Sequence, residues 1–123
     1  MPIVYPITLS PCLLMTSPRK LFVNLRVNDL KASMAFFAAL GFTFNQQFTD
    51  DNAACMVVSD NGFFMLLTDA FFRGFTHREP SDPMRVTEAM YALSCESREE
   101  VDELVAKAMA AGGTAAMPPQ DHG

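Results

Sequence analysis

Histidine, cysteine and basic residues are all scarce in this chain of 123 residues, and each scarcity closes off a kind of chemistry. The two histidines, His77 and His122, stand far apart, and a metal site using both would have to draw in carboxylates such as Glu79, Asp82 or Asp121. Unclustered histidines serve as surface or structural groups more often than as ligands, and that is the role expected here. The three cysteines, Cys12, Cys55 and Cys95, form no CxxC pair and are too scattered for a disulfide frame. Cys55 and Cys95 sit in apolar runs and are expected to be buried thiols, which suits a reducing cytoplasm. Nine Lys and Arg against fourteen Asp and Glu leave a net charge of -5, and no basic run exceeds Arg19-Lys20. Phosphate backbones and anionic bilayers both attract positive surfaces, so neither nucleic acid nor membrane is an expected partner. No GxGxxG, P-loop or HExxH motif occurs. Ser33 and Ser94 have no His or acid paired with them in the sequence, so nucleophilic catalysis has no support and no catalytic residue is assigned.

What is present is apolar. Half of the residues are hydrophobic and 19% are charged, a globular composition, and the length suits one domain with a core of its own. Eleven Phe and nine Met can fill that core or line an adaptable apolar pocket. Residues 1–14 are apolar too, but they contain Pro2, Pro6 and Pro11, lack a positive leading segment and are too short to span a bilayer. Residues 1–19 are expected to be a disordered extension, of which 1–14 are dispensable, with Met15 a natural start.

Residues 21–27 (LFVNLRV) read as a strand. Alternation places Val23, Leu25 and Val27 on one face and Phe22, Asn24 and Arg26 on the other. Asp29 is a cap for a helix whose stripe is Leu30, Met34, Phe37 and Leu40, ended by Gly41. Three strands are predicted next, at 42–48, 54–59 and 63–68, with Asp60-Asn61-Gly62 as a hairpin turn. The last, FFMLLT, is apolar on both faces and should be covered on both. Residues 70–86 lose periodicity and carry Gly74, Pro80 and Pro83, so they read as a linker anchored by Phe71, Phe72 and Phe75.

The order then restarts: a strand over 88–96, a capping box at Ser97 and Glu100, and a helix with the stripe Val101, Leu104, Val105, Ala108 and Met109, ended by Gly112-Gly113. Glu99, Glu100, Asp102 and Glu103 form a solvated first turn at the positive end of the helix dipole. TAAM begins a further strand. The expectation is α+β: a βαβββ module repeat, with a first module over 20–69, a linker over 70–86 and a partial second module over 87–123. Completing the second copy would take roughly 20 to 25 further residues at ~5–6 per strand plus turns.

The stretches KLFVNLRVNDLKASMAFFAALGF and MYALSCESREEVDELVAKAMAAGG, with DHG after them, resemble the glyoxalase, bleomycin-resistance and extradiol-dioxygenase (vicinal oxygen chelate) superfamily, in particular small lactoylglutathione-lyase-like proteins. The resemblance implies two βαβββ modules curling into a cup, a curved mixed sheet with helices on its outer face. Where such proteins hold a divalent metal, the ligands come from inward-facing strand positions, so that the ion can bind two substrate oxygens. Carried over, the first-strand His position falls on Phe22, the carboxylate ending the first module on Leu66, and the second-module His or Gln on Met90. A fourth position lies beyond the strands present. Phenyl and leucyl groups donate no lone pair, and a thioether suits Cu(I) rather than Zn(II), Ni(II) or Fe(II). A slip of one residue would reverse the faces and offer Leu21 or Val23, Met65 or Leu67, and Ala89 or Tyr91, which are no better.

The resulting expectation is a metal-free, cofactor-free cytoplasmic protein that holds a small amphipathic molecule in an apolar cup, with Phe22, Asn24, Arg26, Phe64, Leu66 and Met90 facing the cup. Packing alone is the competing reading for the apolar four, and an internal hydrogen-bonded pair for Asn24 and Arg26. His122 is a further candidate for the rim. A metal-dependent lyase or dioxygenase-related enzyme, and an inactive truncated fragment, are the alternatives. An incomplete second module would leave sheet edges and a cup wall uncovered, so a homodimer is expected.

Overall fold

The computed structural model describes residues 18–115 and 117. Its elements are β1 (Leu21–Val27), α1 (Leu30–Ala39), β2 (Thr43–Asn45), β3 (Ala53–Val57), β4 (Gly62–Thr68), α2 (Asp69–Arg73) and α3 (Arg98–Ala110), with a turn of 3-10 helix at Gln46–Phe48. The class is α+β. The strands form one mixed sheet in the order β1-β4-β3-β2. β1 runs parallel to β4. β3 is antiparallel to both β4 and β2.

The sheet centre is the core. Ala53, Ala54, Cys55, Met56, Phe63, Leu66 and Leu67 are all buried on β3 and β4. β4 is flanked by a strand on each side and is buried on both faces, as its unbroken apolar sequence requires. The β3–β4 turn is closed by the Val58 and Ser59 amides donating to the Gly62 carbonyl.

The two long helices end in the same way. Gly41 adopts φ 101°, its amide donates to the Ala38 carbonyl, and the Phe42 amide donates to the Phe37 carbonyl. The Phe37 and Phe42 rings then meet edge to face at 6.2 Å. Gly112 (φ 105°) and Gly113 repeat the arrangement on Met109 and Ala108. These are Schellman closures with their hydrophobic contact at the first, and each needs a left-handed residue that glycine supplies. At the start of α3 the Glu100 amide donates to Ser97 Oγ, while Glu100 Oε2 accepts from the Glu96 amide, so the capping box closes one residue further upstream than its standard form.

Four expectations are corrected. The strand predicted over 42–48 stops at Asn45, whose side chain accepts from the Gln47 amide while its carbonyl accepts from Thr49 Oγ1; local side-chain bonds outcompete the ladder. The linker opens with a helix, α2, capped by Thr68 Oγ1 accepting from the Phe71 amide. Residues 88–96 form no strand, and Met90 is 90% exposed: a strand pattern needs an edge to pair with, and none reaches it among the described residues. The stripe of α3 is largely uncovered, with only Leu104 and Ala108 half-buried. The extension expected over 1–19 falls, up to residue 17, outside the described residues. So do Cys12, Asp121, His122 and part of the strand start at TAAM.

The chain divides into two units. The first contains all four strands and α2, and the second contains α1 from Lys31 onward together with residues 81–123. Within the second, the α3 terminus lies against α1: a Cβ on Gly113 would sit 3.4 Å from the Phe36 ring and 2.8 Å from the Ala108 carbonyl oxygen.

Candidate ligand-binding groove

Register decides which side chains share a face. In the parallel pair, Phe22 is opposite Phe63, Asn24 opposite Met65 and Arg26 opposite Leu67. Since successive side chains alternate, these six lie on one face, continued on β3 by Ala53, Cys55 and Val57. Phe64 and Leu66 lie on the other.

The chain turns sharply after β4. Thr68 ends the strand and caps α2 directly, so α2 packs back on β1 and β4. Phe72, Phe75 and Thr76 thereby wall one side of a groove whose other lining comes from Phe22, Val23 and Asn24 of β1 and Leu67 of β4. Its volume is about 500 Å³, within the range usual for small-molecule sites. Two ring contacts fix the walls. Phe22 stacks on Phe63 with centroids 4.9 Å apart and planes 13° apart, and Phe75 meets Phe71 edge to face at 5.1 Å. Lys20 Nζ lies 5.7 Å from the Phe63 centroid.

Beside the groove runs a chain of ion pairs. Arg26 donates to Asp69 at 2.8 Å, Arg73 donates to Asp69 at 2.9 Å, and Arg73 also donates to Glu79 at 2.9 Å. Arg26 is the least exposed member, at 17%. The hydrogen bond from Arg73, then that from Arg26, holds the Asp69 carboxyl below the usual carboxylate range. Asp69 and Glu79 in turn hold the Arg73 guanidinium above its ordinary pKa. Burial pushes the Cys55 thiol up, and it is a packed sulfhydryl rather than a nucleophile. Cys95 is shifted the same way, by burial first and then by the Glu100 charge.

The expected site residues therefore separate. Phe22 and Asn24 line the groove. Arg26 shares their face but is bound to Asp69. Phe64 and Leu66 are on the opposite face, and Leu66 has 0% exposure. Met90 belongs to the other unit and is almost fully exposed. A parity error of one residue explains the pair on β4: the residues sharing the face of Phe22 are Met65 and Leu67. The pairing has no offset, linking the first residue of LFVNLRV to the first of GFFMLLT, and strand offset is invisible in the sequence without the pairing. The sequence places Phe72 and Phe75 only as linker anchors and assigns Thr76 no role. The overlooked signal was Thr68-Asp69, a cap followed by an acid in the first turn. His77 is exposed, Glu79 is paired with Arg73, and Asp82 Oδ1 accepts from the Met84 amide.

The donors do not fit a metal. Phe22, Leu66 and Met90 stand where the resemblance puts ligands, a slip of one on β4 offers only Met65 or Leu67, and no group of three or more His, Cys, Asp or Glu could hold an ion among the described residues. No titratable side chain is among the residues that line the groove.

Residues 19–59 match the family model described as bleomycin resistance protein-like N-terminal. A hypothetical protein from S. aureus has a similar structure, with a TM-score of 0.70 and 27% identity over 89% of this chain and 82% of that one. A glyoxalase/bleomycin resistance protein/dioxygenase family enzyme from Burkholderia phytofirmans PsJN shares the fold, with a TM-score of 0.53 and 17% identity over 74% of this chain and 71% of that one. No curated protein matches. Sheet and strand order are those of the glyoxalase/bleomycin-resistance/dioxygenase fold, and the family match over residues 19–59 is to the N-terminal part of a bleomycin resistance protein-like module. No helix among the described residues is long and apolar enough to cross a membrane.

Proposed function

We propose that this protein binds a small amphipathic molecule in the groove between β1, the end of β4 and α2, and does so without a metal. One observation carries the reading: the groove is walled by Phe22, Leu67, Phe72 and Phe75, with Asn24 and Thr76 as its polar groups, where a metal enzyme of this fold would need imidazole or carboxylate. A cytoplasmic setting accords with a buried, unpaired Cys55. Self-association belongs to the same reading, because Met84, Met90, Leu93, Val101, Val105 and Met109 are all exposed.

The test is elemental analysis of untagged protein purified without chelator, with calorimetric titration of Zn(II), Ni(II), Fe(II) and Mn(II). Metal far below one equivalent and no tight binding is the expected result. Near-stoichiometric, tightly held metal would overturn it and return the lyase or dioxygenase class.

A further inference from the structure

We propose that the ligand of this groove is an uncharged, planar aromatic molecule carrying one amide-like hydrogen-bonding group that pairs with Asn24. The inference rests on the binding reading above and narrows it to a ligand class.

The absence of charge follows from the lining and its surroundings. None of the lining residues is ionisable. Beside the lining, two cations are matched to two anions in the series Arg26–Asp69–Arg73–Glu79, and Lys20 lies over the Phe63 ring. A charged ligand would give up its water and meet no countercharge in the lining, a loss that ion pairing elsewhere cannot offset.

The preference for a flat ring follows from how the phenyl groups are held. Phe22 is stacked on Phe63 and Phe75 is fixed by Phe71, yet each is still 46% exposed. Their free surfaces are apolar and oriented before any ligand arrives, so little rotamer freedom remains to be lost on binding. Ring against ring also gains from quadrupole complementarity that a saturated body lacks.

The amide-like group follows from Asn24. Its side chain is exposed into the groove and makes no hydrogen bond within the described residues. A carboxamide presents both a donor and an acceptor, and a ligand amide or lactam answers both at once. Thr76 is the second polar group. Its Oγ1 already accepts from the Arg78 amide, which leaves its hydroxyl hydrogen to donate to the ligand's oxygen.

Four matched probes test this on the full chain by calorimetry, with chemical-shift mapping to locate the site: naphthalene carboxamide, naphthoate, naphthylmethylammonium and decalin carboxamide. The carboxamide of naphthalene is expected to bind about tenfold more tightly than each of the other three, the scale of one well-made hydrogen bond or one avoided charge burial. Asn24→Leu should remove about that factor for naphthalene carboxamide. Asn24→Asp should shift the preference to the ammonium probe. Both variants alter an exposed side chain, and circular dichroism checks that they fold. Equal or tighter binding of either charged probe, or of decalin carboxamide, at the groove would overturn the inference and leave the binding reading standing. An Asn24→Leu variant that binds naphthalene carboxamide unchanged would also overturn it. Failure of all four probes to bind would remove the binding reading itself.

Discussion

Leu66 and Phe22 sit on strands paired side by side, yet they do different things. Leu66 is fully buried between β1 and β3, so Leu66→Ala removes packed methyl groups and leaves a void. The expected loss is about 2–5 kcal/mol in urea denaturation. Phe22→Ala, at a side chain nearly half exposed, should cost less stability and instead weaken ligand binding. The faces of β1 could be read from its alternation, and so could the full burial of β4. What could not be read was which face of β4 joins the face of Phe22, because one residue of offset reverses that answer while leaving both strands equally apolar. Asp69 carries a second prediction. Its carboxyl is held below the ordinary value of about 3.9, so its contribution to stability is complete above that pH and is lost as pH falls through the depressed folded value. Asp69→Asn should therefore lower the urea midpoint at neutral pH, and the gap to wild type should close in strong acid. A gap that stays constant with pH would show that the ion pairs with Arg26 and Arg73 are not its source.

Elements with their own start and stop signals were legible in the sequence, and those that depend on a partner were not. β1 occupies the predicted residues 21–27, and α1 and α3 end at the glycines that mark them. The 88–96 segment has equally good strand composition but no ladder among the described residues, which is a fact about neighbours rather than about its own residues. α2 is five residues long, too short to show a helical period, and only its cap betrays it. The glycine closure makes a clean test at this scale. A Cβ on Gly41 would meet nothing within 4 Å, so Gly41→Ala adds no clash and isolates the cost of a left-handed backbone. That cost is roughly 1–2 kcal/mol, measurable as a fall in denaturation midpoint. Gly113→Ala is different in kind, because its Cβ would press on the Ala108 carbonyl at 2.8 Å and force the end of α3 to move.

At the scale of the whole molecule the question is what becomes of the apolar surface that the fold leaves uncovered. Val101, Val105 and Met109 recur every four residues along α3, the spacing of one helical face, and all three are exposed. Exposed apolar side chains grouped in this way mark association surfaces more often than idle ones. The opposing term is the net charge of -5, which makes like copies repel one another but is screened within about 8 Å at physiological salt. Burial therefore wins as ionic strength rises, and light scattering is expected to report a mass approaching twice the 13.6 kDa of one chain, increasingly so with added salt. The double variant Val105→Glu, Met109→Glu places two charges on that face and should shift the protein toward monomer while leaving naphthalene carboxamide binding in place, since neither residue lines the groove. A wild-type protein that stays monomeric at every concentration and salt, or a double variant that associates as strongly as wild type, would show that α3 keeps its apolar face exposed without using it to join a second copy.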